Sequence, residues 1–197
     1  MSISTQICLL LFLVLGTISS SFGQLAVQPG ASDPLHFGNP DAQMKIEVFI
    51  DLQCPACADY NERLRAVEEK YPKKVQIIFR HFPLAMHDKA MIAARAVEAA
   101  NEQGKGLQMT DLMFANQKLW SDDPKVKMFA GYARRLGLDL DRFSRNFDSE
   151  AILNRVQQDI ARARSLKLNS TPTVFIDGKE LTYPEALEIE KIVSEGN

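Results

Sequence analysis

Lys45-Ile46-Glu47-Val48-Phe49-Ile50-Asp51-Leu52-Gln53-Cys54-Pro55-Ala56-Cys57 is the stretch on which the fold turns. The apolar run from Met44 to Asp51 reads as a buried strand. The amphipathic stretch beyond it, with Tyr60, Leu64 and Val67 on one face, reads as a helix to about Lys70. Two thiols three residues apart therefore fall at a strand-to-helix junction. Cys54 suits the N-cap, and Pro55 the first helical position, where a missing N–H costs nothing. A helix start favours negative charge, so it stabilises a thiolate on Cys54 far more than on Cys57, one turn deeper. Thiol–disulfide exchange is the chemistry this arrangement predicts.

Working outward, the rest of the chain limits the alternatives. Its 197 residues, 46% of them hydrophobic, are enough for one domain with a core that needs no disulfide staples. A net charge of -2 offers no field to attract nucleic acid or an anionic membrane, so small molecules or other proteins are the expected partners. Ile7 to Leu15 is a short apolar run followed by small residues, and 1–23 reads as a signal peptide; a membrane anchor is the alternative, for which the run is short. Cys8 would leave with that segment. Only Cys54 and Cys57 then remain, in an oxidising compartment. A structural bridge closing so small a ring restricts the unfolded chain weakly. A zinc site would need a second pair of ligands, and His36, His81 and His87 are scattered, so no metal is expected.

Downstream, residues 24–43 read as an extended leader and Val75 to Phe79 as a second buried strand. Strand–helix–strand order argues for a parallel pair with a crossover helix. Helical blocks follow: Met86 to Gln103, Leu107 to Leu119, one opened by Asp123-Pro124 with Val126 and Phe129 on its face, a short one with Phe143 and Phe147, and a longer one with Ile152, Val156 and Ile160. Their apolar faces are most simply core. Thr173-Val174-Phe175-Ile176 returns to strand, Asp177-Gly178 is a hairpin turn, and Pro184 opens a last helix with Leu187 and Ile192. The fold class is α/β, one domain with a helical insertion at about 84–148.

Four segments in this order resemble the DsbA-like branch of the thioredoxin superfamily, a thioredoxin fold with an inserted helical subdomain. They are Asp51 to Cys57, Phe79-Arg80-His81-Phe82-Pro83-Leu84, Ala93 to Ala100, and Thr171-Pro172-Thr173-Val174-Phe175-Ile176-Asp177-Gly178-Lys179, within a match over roughly Lys45 to Val193. The resemblance implies that Cys54 is the exposed nucleophile and Cys57 the buried resolving thiol. It also implies that Thr171-Pro172 is a cis-proline loop facing them, where a substrate strand can pair with free backbone. It implies a secreted or periplasmic oxidoreductase, needing no cofactor, that passes its disulfide to client proteins and is reoxidised by a membrane redox partner. A reductase or isomerase fed by a membrane electron donor is the alternative within this chemistry, and a client-binding holdase the alternative outside it. No dimerisation domain is visible, so a monomer is expected. Relatives often carry a buried acid six positions before the first cysteine, where this chain has Val48; Glu47 should face away and be solvated. Within the active-site dipeptide Pro55-Ala56, Ala56 can neither donate a hydrogen bond nor carry charge, which leaves the helix end as the main expected stabiliser of a Cys54 thiolate.

Overall fold

The computed structural model describes residues 27–123 and 127–196. Among them five strands form one sheet in the order β1-β3-β2-β4-β5, with β1 (His36–Gly38) at one edge. Strand β2 (Met44–Ile50) runs parallel to β3 (Val75–His81), with Val48 opposite Phe79, and α1 (Pro55–Lys70) crosses between them. On the other side of β2, β4 (Thr173–Ile176) pairs antiparallel with Phe49 opposite Thr173, and the Asp177-Gly178 turn leads to the short β5 (Lys179–Glu180). Period-two alternation divides β2 cleanly. Ile46, Val48 and Ile50 enter the large core that holds Cys57, Tyr60, Leu64 and Val67 of α1, whereas Phe49 packs with Phe82, Ala163 and Phe175 on the opposite face.

Between β3 and β4 run α2 (Ala90–Asn101), α3 (Gly106–Ala115), α4 (Gln117–Asp122), α5 (Met128–Arg135), α6 (Leu140–Phe147) and α7 (Glu150–Ser165). The fold is the expected one, a thioredoxin-type sheet with inserted helices. The α7 helix starts at Ser149, whose hydroxyl accepts from Ile152 N, and lies over the sheet face opposite α1. The signal peptide expected at 1–23, with Cys8, lies outside the described residues, as do Pro124 and Val126.

Several expected boundaries move, each for a local reason. Residues from the presumed leader belong to the domain. Strand β1 (His36–Gly38) pairs antiparallel with β3, and Leu35 and Phe37 flank the large core. The helix expected from Met86 begins only at Ala90, because Leu84 N and Lys89 N donate to the side chains of Asp51 and Gln53 and hold the preceding turn. The helix expected over Leu107 to Leu119 breaks at Asn116, whose Nδ2 donates to Leu112 O and which adopts φ -119°. The last helix divides at Glu188 into α8 (Tyr183–Leu187), with a Thr182/Glu185 capping box, and α9 (Ile189–Glu195).

Glu47 faces away from Cys57 as strand alternation requires, but it is not solvated. Its side chain is 14% exposed and is gripped by two arginines: Arg162 Nη2 at 2.7 Å and Arg80 Nε at 2.8 Å. Arg80 also reaches Asp159 at 3.0 Å and the carbonyl of Ala31 at 2.8 Å, so the segment before β1 is fastened to β3 and α7. Burial alone would push the Glu47 carboxyl up. The hydrogen bonds and charges of Arg162 and Arg80 outweigh burial and hold it below the usual carboxylate range.

Candidate active site

Where β2 ends, the chain turns once before α1, and this turn carries the thiols. Cys54 takes the N-cap with Pro55 at the first helical position, and Cys54 N donates to Asp51 O at 3.1 Å. Both cysteines are free. Cys57 has no exposed surface and Cys54 retains 9% of its own, so the nucleophile expected to be exposed shows only a sliver of itself to solvent.

The sheet register explains what faces them. Because β4 runs antiparallel beside β2 and starts at Thr173, the residues just before it meet the end of β2. There the Thr171-Pro172 bond is cis, and Cys54 Sγ lies 3.4 Å from Thr171 O, within donating distance when the thiol is protonated. The Thr173 hydroxyl closes the loop on Ser170 O at 2.9 Å. The two thiols, the dipeptide Pro55-Ala56 and Thr171-Pro172 thus converge on one patch.

One helical turn gives the sulfurs opposite character. The Cys54 thiol is pulled down to about 5, first by donation from the Cys57 thiol, then against burial by the Thr171 side chain and the N–H groups of Cys57 and Ala56. Burial pushes the Cys57 thiol well above the ordinary range, and the neighbouring Cys54 adds to that. The main-chain N–H of Asp51 opposes it. The helix end is therefore not the chief stabiliser of Cys54: the resolving thiol is, and no side-chain cap bond forms at Cys54. At neutral pH, Cys54 is a thiolate and Cys57 a thiol.

A shell that the sequence reading missed fixes the turn. The Asp51 carboxylate, fully buried, accepts from Gln53 N at 2.7 Å, Leu84 N at 2.8 Å and His87 Nδ1 at 2.7 Å. Asp51 N reaches Cys57 Sγ at 3.4 Å. Gln53 binds Asp88 and Lys89 N, and Gln117 Nε2 at the start of α4 donates to both Leu52 O and Cys54 O at 2.8 and 2.9 Å. The signal available in sequence was an acid and an amide interrupting an apolar run just before the cysteines; their partners lie far along the chain. Of the three histidines, His36 lies on β1, His81 pairs with Glu98, and His87 pairs with Asp51. Among the described residues no group of three or more His, Cys, Asp or Glu side chains is placed to hold a metal ion.

Residues 31–194 match a family model described as thioredoxin. The chain belongs to the thioredoxin family. Within that family its fold is DsbA-like. The crystal structure of Pseudomonas aeruginosa DsbA2 is similar at 28% identity and a TM-score of 0.60, over 80% of this chain and 91% of that one. BdbD from Bacillus subtilis, in its oxidised form, is similar in fold, with a TM-score of 0.71 at 19% identity, over 86% and 97%. The thioredoxin-type chain also matches part of much longer proteins. It is 33% identical over 144 residues to the Na(+)/H(+) antiporter NhaA of Herminiimonas arsenicoxydans, covering 73% of this chain and 22% of that protein. This chain spans only about a quarter of the length of the curated relatives it matches, or less. No helix among the described residues is long and apolar enough to cross a membrane.

Proposed function

We propose that this family member donates the Cys54–Cys57 disulfide to client proteins in a periplasmic or otherwise secreted setting. The chain is an oxidoreductase of the thiol–disulfide class. The observation that carries the direction is the division of the pair into a thiolate near 5 and a thiol held high. A client thiolate attacks Cys54 Sγ, the bond to Cys57 breaks, and the electron pair leaves on Cys57, which takes up a proton. A second client thiolate then attacks the client sulfur of the mixed disulfide. Cys54 leaves as a stable thiolate, the client gains a disulfide, and the pair is left reduced. A low pKa on Cys54 makes that last departure favourable.

The free backbone around Thr171 and Pro172 suits an extended client segment, which would add to the edge of the loop as a strand does. Met86 and Leu119 are 81% and 60% exposed, on the two segments that brace the Cys54 turn, and they offer apolar contact to unfolded chains. A membrane oxidase would regenerate the disulfide, and the protein would work as a monomer.

Trapping in an exporting cell tests the proposal. Cys57→Ser should accumulate covalent client adducts on Cys54, and Cys54→Ser should accumulate few. Equal trapping by both single variants would overturn the assignment of roles, and activity that survives loss of both cysteines would point to a holdase.

A further inference from the structure

In the exchange just described, Cys57 is the leaving group, and it must leave as a thiolate inside the core. A group so disfavoured as an anion is a poor one to expel, because lower-pKa thiols depart faster. Two groups favour a Cys57 anion, the main-chain N–H of Asp51 and then the side chain of Thr171. The one with a hydrogen bond to Cys57 Sγ already in place is the Asp51 N–H, at 3.4 Å, whereas the buried Thr171 hydroxyl makes none.

We propose that the Asp51 amide is the leaving-group donor of the exchange, and that the Asp51 carboxylate and His87 are positioning residues that hold it on the Cys57 sulfur. The inference rests on the thiol-exchange reading above. In the step itself, a bond forms between the client sulfur and Cys54 Sγ while the Cys54–Cys57 bond breaks. The electron pair passes to Cys57 Sγ, and the N–H meets the charge as it develops. A donor fixed in a water-poor site before the reaction does for this sulfur what an oxyanion hole does for oxygen.

The carboxylate is arranged to keep that amide in place. It folds back on Gln53 N, which pins the turn on the thiol side. Through its second oxygen it takes Leu84 N and His87 Nδ1, which pin it to the turn ahead of α2. Since Gln53 N and Leu84 N donate to the carboxyl, His87 supplies the proton at Nδ1. Three donors from two segments hold the Asp51 side chain, and the peptide plane that carries Asp51 N is held on its carbonyl side by Phe82 N, which donates to Ile50 O at 2.7 Å. Val48 carries no acid below Cys57, whereas Asp51, one residue past the end of the same strand, is bound to Cys57 Sγ through its backbone N–H.

Opening of the oxidised pair by glutathione, followed by acid quench, alkylation and mass measurement, tests this without any client. Asp51→Ala should slow opening about tenfold. Loss of a carboxylate beside a developing thiolate would by itself speed the step, so the sign of the change separates aiming from charge. His87→Ala keeps the carboxylate and should slow opening and reclosure together by about threefold, with the glutathione equilibrium within twofold of the parent. His87→Gln, which restores an N–H to Oδ2, should recover most of that loss. Matched slowing in both directions at constant equilibrium marks a transition-state effect. A generally loosened site would move the equilibrium. If Asp51→Ala does not fold, the two His87 variants decide. Unchanged or faster opening in the variants, with the parent exchanging normally, would overturn this inference alone. A parent pair that does not exchange with glutathione would overturn the functional reading as well.

Discussion

Strand β2 and the residue that follows it carry two carboxylates four residues apart, Glu47 half-buried and Asp51 buried, and their surroundings differ in kind. Glu47 lies under α7 between Arg80 and Arg162, both of which keep their charge at any physiological pH. Asp51, beside the thiols, is held by two main-chain N–H groups and a histidine, with no arginine. The first arrangement joins three distant parts of the chain, β2, β3 and α7, and ties the segment around Ala31 to them. The second organises a single turn. A permanent cation next to the sulfurs would set the thiolate level by itself. Main-chain N–H groups and a histidine shape the turn and leave that level to Cys57, Thr171 and the helix start. The contrast separates an arginine clamp that serves stability from one built on main-chain donors that serves chemistry.

The largest effect should come from breaking the charged clamp. Arg80→Met removes the only cation ion-paired with Asp159 among the described residues and one of the two cations on Glu47. Removing one partner of a buried pair leaves an uncompensated charge and costs about 3–5 kcal/mol. Urea unfolding should show a loss of that size, while disulfide exchange with glutathione in the folded fraction keeps the parental rate. A loss under about 1 kcal/mol would mean that the network is dispensable, and altered exchange kinetics would mean that the two clusters are not separate.

The next effect tests the thiol side. Moving the Cys54 pKa from its usual ~8.5 to about 5 stabilises the reduced chain at pH 7 by about 2.7 kcal/mol, or ~60 mV in a two-electron couple. The folded value is depressed, so this stabilisation is complete above ~8.5 and disappears as pH falls through about 5. The disulfide should therefore be a stronger oxidant at neutral pH than a pair of ordinary thiols, and should lose that advantage in acid. Thiolate ultraviolet absorbance, titrated alongside the glutathione equilibrium, checks both halves. An inflection above about 7 would remove the basis for the oxidising direction.

The same contrast shows what the sequence could reveal. Strands β2 and β4 and the α1 start follow from local signals, an apolar run, a Pro at the first helical position and a hairpin turn, whereas the convergence of Cys54, Cys57 and Thr171-Pro172 follows from the family resemblance that four motifs in a fixed order carry. Both carboxylates escaped that reading because what makes each of them important is remote. Glu47 looked like a solvated strand residue, yet its arginines lie 33 and 115 positions away; the partners of Asp51 beyond its own turn lie 33 and 36 away. Alternation told correctly which way Glu47 points, but not what waits there. Strand β1 was lost for a related reason: three residues among Pro, Gly and Asp carry little strand signal until Phe37 finds the ring of Phe79 at 5.2 Å.

The smallest effect comes from putting a cation where the chain has none. Ala56 sits between the thiols at the helix start, half-buried against the core, and contributes only its N–H to Cys54. In Ala56→His an imidazolium would face the Cys54 sulfur and favour its thiolate further. At pH 6, close to the ordinary histidine range, a further drop of one pKa unit would raise the potential by up to ~30 mV. The sign follows from the charge on the ring. As pH rises through the imidazole titration the cation is lost, so the difference between variant and parent should shrink towards pH 8, opposite to the behaviour of Cys54 itself, whose advantage grows with pH. Glutathione equilibria at the two pH values, with parent and variant side by side, read this directly. An unchanged potential at pH 6 would show that Cys57 and Thr171 already saturate the stabilisation of Cys54. A difference that persists at pH 8 would show that the ring acts by packing or hydrogen bonding instead of charge, and the division between an arginine clamp and a thiol site without a fixed cation would then fail at its most direct test.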